Sequence, residues 1–216
     1  MITTSKHTAL ANNLPATYAV ADCSALLTSP TSEATKWETA HKGKYSKVFS
    51  NAALHWILKN PDNRVQTFQA AYDALEPGGT LVFEMGGQGN VAELRGTILL
   101  SVARMIGIEA ARAADPWFFP DEPWMAKTLG DLGFAIEKME IEARPTAAEE
   151  GPGGGLDGWL RLMAKDWLDV LPNETDKEVC VAEVKEALET VCGTASGQPR
   201  YILNYKRLRV KARKPE

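Results

Sequence analysis

Long apolar runs are missing from this sequence. No stretch of eighteen or more apolar residues occurs, which excludes a transmembrane helix. The opening MITTSKHTALANNLP lacks the apolar core of a signal peptide. Cysteine is scarce: Cys23, Cys180 and Cys192 are an odd set without C-x-x-C spacing. They read as reduced thiols in an intracellular, cytoplasmic protein. The histidines, His7, His41 and His55, are scattered and give no metal-ligand spacing. Internal repeats and low-complexity segments are absent. An excess of charge is absent too: a net charge of -4 gives no general attraction to nucleic acid or to anionic membrane. The one basic stretch, residues 206–214, alternates with Leu208, Val210 and Ala212. That pattern reads as a strand near a sheet edge with one solvated face, rather than a nucleic-acid surface.

What remains is an ordinary globular composition, 44% hydrophobic and 24% charged over 216 residues, enough for a single domain. Residues up to 13 suit a short helix. Strands are predicted at 17–21, ending at Asp22, and at 45–50, breaking at Asn51. Val65, Phe68, Ala71, Tyr72 and Leu75 recur at spacings of three and four, a helix with one apolar stripe over 62–75. Glu76-Pro77-Gly78-Gly79 stops it, and 80–85 is a mostly apolar strand. Helices are expected at 91–108 and 123–132, with an aromatic, proline-rich loop between them. A strand is expected at 134–141, two helices at 156–171 and 175–191, and a last strand at the C-terminus. Strands alternating with helices, then an antiparallel-looking pair, point to an α/β layered sheet.

One stretch resembles a nucleotide loop. Gly87-Gln88-Gly89-Asn90-Val91-Ala92 fits G-x-G-x-x-G/A between a strand and a helix. The acid about twenty residues on is Glu109, at a helix end, so the ribose contact of that fingerprint is missing. The glycines instead suit a tight turn on the substrate side of a pocket.

LEPGGTLVFEM, YSKVFSNAALHW and VADCSAL, taken in order, resemble class I S-adenosylmethionine-dependent methyltransferases, in which they match the turn into strand five, strand four, and the end of strand three. Gly86 to Asn90, Pro116 to Pro120 and Tyr205 to Ala212 are similar to the trans-aconitate-methyltransferase-like, type 11/25 branch. The resemblance implies a Rossmann-like α/β sheet with helices on both faces and a helical substrate-side insertion at 151–195. It also implies that the first two strands, the first helix and their D-x-G-C-G-x-G loop are missing.

By the same resemblance, Asp22 and Cys23 face the adenine of S-adenosylmethionine, and Ser50, Asn51 and Ala52 lie near its sulfonium. His55 is the candidate catalytic residue, as a general base or as a group that orients a substrate carboxylate. Trp56, Glu84, Trp117 and Phe118 are substrate-side candidates. Each has a plainer reading: a capping Asp22, a helix-start His55, a Glu84 carboxylate on backbone amides, and a Trp117–Phe118 cluster that is core under a loop. The expected activity is methyl transfer to a carboxylate or hydroxyl oxygen of a small molecule. Loss of the glycine loop and ribose carboxylate weakens cofactor binding, at about 1.4 kcal/mol per tenfold in affinity. Two rivals follow: a non-catalytic partner forming a homo- or hetero-oligomer through an exposed gap in the sheet, and a fold repurposed to bind a metabolite.

Overall fold

The computed structural model describes residues 2–18, 40–148, 151, 153–197 and 199–216. Helix α1 (Ile2–Ala11) is followed by β1 (Tyr45–Asn51), a short α2 (Leu54–Ile57), α3 (Asn63–Ala74) and β2 (Leu75–Gly86). Next come α4 (Ala92–Ile106), α5 (Ile108–Ala113), α6 (Glu122–Asp131) and β3 (Ala135–Ala147). The chain closes with α7 (Gly155–Met163), α8 (Lys165–Asp169), α9 (Glu174–Cys192) and β4 (Ile202–Arg213). The strand expected at 17–21 falls mostly outside the described residues, and Asp22 and Cys23 fall wholly outside them.

The strands form one sheet in the order β1-β2-β4-β3. β1 and β2 are parallel, as the helical connection through α3 allows. β4 pairs antiparallel with β2 on one side and with β3 on the other. The last strand is therefore paired on both sides and lies one strand in from the β3 edge. Its one-sided pattern arises because only one sheet face is apolar. Leu208, Val210 and Ala212 are buried beside Leu81, Phe83 and Met85 of β2, and Phe68 of α3 with Met125 and Leu129 of α6 cover them. On the opposite face, Glu84, Glu137 and Glu142 pair with Arg209, Lys211 and Arg213.

A second core is helical. Leu94, Ile98 and Val102 of α4 pack with Leu156 and Leu160 of α7, Trp167 of α8, and Val184 and Leu188 of α9. The helix expected at 156–171 is divided at Ala164, and the helix expected to reach 108 ends at Gly107, whose φ of 89° starts α5 on a new axis. The two cores meet at the loop of residues 117–119. There Trp117 belongs to the helical core, and Phe118 packs against the sheet core.

Candidate functional site

Ligands in open α/β sheets bind beyond the carboxyl ends of parallel strands. Asn51 ends β1 opposite Glu84 of β2. One residue further, the Ala52 N–H donates to the Glu84 carbonyl at 2.9 Å, and Ala52 turns to a φ of 53°. That left-handed conformation costs an L-residue about 1–2 kcal/mol. Val91, just past the end of β2, has a φ of 43°. It is held by its N–H on the Asn204 carbonyl, while the Asn90 Oδ1 accepts the Lys206 N–H. Two strained non-glycine residues thus flank one end of the sheet, each fixed by a neighbouring strand.

His55, on α2, is 5% exposed. Its Nδ1 accepts the Gly86 N–H at 3.3 Å, and its carbonyl accepts the Phe118 N–H at 3.0 Å. The ring therefore carries its proton on Nε2. Burial, aided by the nearby Arg207 charge, lowers its pKa to about 4. The imidazole is neutral at pH 7 with its Nδ1 occupied, which disfavours the general-base role expected for it, and it does not line the cavity beside Trp56.

The GGQGN turn is a packing device. The N–H groups of Gly86, Gly87, Gln88, Asn90 and Val91 are all taken, by His55 Nδ1 and by the carbonyls of Lys206, Pro120, Gly87 and Asn204. With these five committed, the turn does not offer the row of free N–H groups that a phosphate cradle needs. A Cβ at Gly86 would lie 2.4 Å from the Phe119 ring, which explains the glycine there.

The aromatic candidates converge. Trp56 meets Trp117 edge-on at 5.7 Å between ring centres, Trp117 stacks on Phe119 at 5.6 Å, and Phe118 packs on Trp124 at 4.9 Å. Trp56, Trp117 and Phe118 line one cavity of about 870 Å³. Trp117 is also core, packed against Trp159 and Trp167. Glu84 sits apart on the charged face, its carboxylate 2.7 Å from Arg209 and 3.7–3.9 Å from Arg144 and Arg207. Its partners are guanidinium groups and not the backbone amides of the plainer reading. Ser50 and Asn51 point to opposite faces of β1, and Asn51 lines a hollow of about 370 Å³ shared with Glu84 and Arg209.

Sequence reasoning missed Asn63, Arg64, Arg95 and Arg112, which share the wall of the larger cavity. Arg64 and Asn63 lie in a helix start that reads as solvated, and Arg95 is one polar position among many on α4. The proximity of the 56–64 and 112–118 segments comes from tertiary packing alone. Among the described residues no cluster of histidine, cysteine, aspartate and glutamate is placed to hold a metal ion, and no helix is long and apolar enough to cross a membrane.

No family model matches the chain. An uncharacterized methyltransferase of Schizosaccharomyces pombe is 33% identical over 172 residues, 79% of this chain and 63% of that protein, so the chain spans less than two thirds of that relative. A SAM-dependent methyltransferase from Methanosarcina mazei superposes with a TM-score of 0.51 at 13% identity, over 99% of this chain and 77% of that one. A loganic acid methyltransferase with bound SAH gives a TM-score of 0.51 at 14% identity, over 81% of this chain and 63% of that one. The chain is thus similar to a methyltransferase over most of its length, and it shares the Rossmann-like fold of S-adenosylmethionine-dependent methyltransferases.

Proposed function

We propose that the protein is an S-adenosylmethionine-dependent methyltransferase acting on a carboxylate or hydroxyl oxygen of a small molecule. The observation that carries this reading is the convergence of His55, Trp56, Trp117 and Phe118 beside the carboxyl ends of two parallel strands. Of the residues expected to hold the cofactor, Ser50, Asn51 and Ala52 stand at the end of β1, where the strained Ala52 turns the chain aside. The end of β1 would stand along one side of the cofactor, with Ser50 and Asn51 on opposite faces of the strand so that only one of the two side chains would face it. When bound, S-adenosylmethionine supplies an electrophilic methyl group. The chain's own part is positioning: the buried, neutral His55 ties α2 to the end of β2 through the Gly86 N–H, and the aromatic rings would exclude water from an apolar acceptor. A carboxylate acceptor is already a nucleophile and needs no base.

Isothermal titration of the protein with S-adenosylhomocysteine tests the cofactor. Mass spectrometry of small carboxylic acids incubated with the protein and S-adenosylmethionine tests the transfer. Saturable binding with a 14-Da mass gain on an acid supports the reading. Its absence across hydroxyl and carboxylate acceptors sinks it.

A second reading has its own observation. Among the described residues the outer edge of β1 is unpaired, and Phe49 there is 72% exposed. A non-catalytic partner that pairs with another chain would use such an edge. Light scattering across concentrations tests this, and a monomer at high concentration counts against it.

A further inference from the structure

The cavity beside Trp56 is built by the corner between α2 and α3, the stretch of residues 112–118, and Arg95 of α4. Its charges are unbalanced. Lys59, Arg64, Arg95 and Arg112 line it, against Asp115 alone among carboxylates. Arg95 is committed to Asp115, with Nε at 2.8 Å and a second nitrogen at 2.5 Å. Lys59 and Arg112 have partners at the rim, Asp166 and Glu109.

Arg64 differs from these three. Its guanidinium lies 3.7 Å over the Phe118 ring and donates to the backbone carbonyls of Leu58 and Lys59. Among the described residues no carboxylate pairs with it. Burial lowers its pKa from the usual arginine value, as expected for a desolvated cation without a counter-charge. The neighbouring Asn63 lines the same cavity, is 3% exposed, and has an Oδ1 with no hydrogen-bond partner. Unmatched buried polar groups are uncommon. A cation without an anion, in a cavity walled by aromatic rings, describes what is missing from it; the Asn63 Oδ1 is itself an acceptor and calls for a donor, not for an anion.

We propose that this cavity binds a small planar organic carboxylate, with its charge on Arg64 and its apolar body against the exposed part of the Trp56 ring. The guanidinium fork matches a carboxylate in two-point geometry, and stacking on Phe118 holds the fork in place. The inference rests on the proposed methyl transfer only in making this carboxylate the acceptor. The binding itself needs neither the cofactor nor the reaction.

The test is calorimetric titration of the full chain, without cofactor, with 2-naphthoate, its neutral analogue 2-naphthamide, and inorganic phosphate. Naphthoate is expected to bind one site at least tenfold tighter than naphthamide, with phosphate a poor competitor. Arg64→Gln is expected to weaken naphthoate at least tenfold and leave naphthamide unchanged, and Arg64→Lys to recover most of the loss. Equal binding of acid and amide, or full naphthoate affinity in Arg64→Gln, overturns the proposal. Phosphate displacing naphthoate with equal affinity overturns its apolar half. Should Arg64→Gln fail to fold, Arg112→Gln, whose side chain is 63% exposed, reads the same field. A loss of threefold or more supports the proposal, and unchanged affinity opposes it. Naphthoate binding without any methyl transfer would leave this inference standing and sink the reaction. Methyl transfer to neutral alcohols without naphthoate binding would do the reverse.

Discussion

At His55, burial and hydrogen bonding fix the protonation state together. The ring is nearly inaccessible, its Nδ1 is used by the Gly86 N–H, and its pKa is lowered to about 4. The unfolded chain binds a proton near pH 6.5, and the native ring only near 4. As pH falls through this window the unfolded state takes up the proton first, so stability that is complete above 6.5 is lost progressively down to 4. The loss is expected to reach about 3 kcal/mol. Urea midpoints at pH 7 and 4.5 measure it, and His55→Gln should at least halve the difference between them. An equal pH response in both proteins would show that other groups govern it. Two glycines make a paired prediction. Gly86→Ala should cost about 1–3 kcal/mol, because its Cβ would strike the Phe119 ring and the Asn90 amide. Gly96→Ala, on α4 with nothing near its Cβ, should gain roughly 0.5–1 kcal/mol. The sequence made His55 a candidate through its place after a strand. Its protonation depends on Gly86, 31 positions away, and could not be read there.

At the scale of the element, periodicity was a good guide where one face is buried and a poor one where neighbours decide. The stripe through Phe68, Ala71 and Tyr72 gave α3 almost to its ends, and the alternation of β4 gave its two faces. That alternation says which side is wet and nothing about which strands lie beside it, so the place of β4 between β2 and β3, one strand in from the edge, could not be read from it. The break between α7 and α8 has no proline or glycine to announce it. Ala164 leaves helical geometry where Trp167 swings in to donate from Nε1 to the Ala111 carbonyl at 2.7 Å. The start of α6 is legible. Asp121 is its N-cap, accepting the Trp124 N–H at 2.8 Å with a proline in the first turn. Because Trp124 packs on Phe118, this cap also steadies the cavity wall. Asp121→Ala should cost about 1 kcal/mol in a denaturant titration. It should also weaken naphthoate binding severalfold, whereas a cap acting on α6 alone would leave that affinity untouched.

The whole molecule is an asymmetric object: a sheet with one apolar face, one charged face, and two dissimilar edges. Among the described residues β1 is one of those edges, with Phe49 at 72% and Tyr45 at 40% exposure. Lys138, Glu140, Arg144 and Glu142 guard the other edge, β3, with charge. Charged side chains blunt pairing between chains, and an edge that shows aromatic rings invites it. The protein is therefore expected to associate in a concentration-dependent way through β1. Phe49→Lys puts a charge on that edge without removing a buried contact, so it should change stability by less than about 1 kcal/mol. It should also weaken association at least tenfold. Leu162→Lys, at a 74%-exposed position on α7, is the control and should leave association intact. Light scattering on the three proteins separates the cases. Association lost only in Phe49→Lys assigns it to the strand edge. Association lost equally in both variants makes it a general response to added charge. Association retained in Phe49→Lys removes the edge as the interface and leaves the non-catalytic partner reading without its observation.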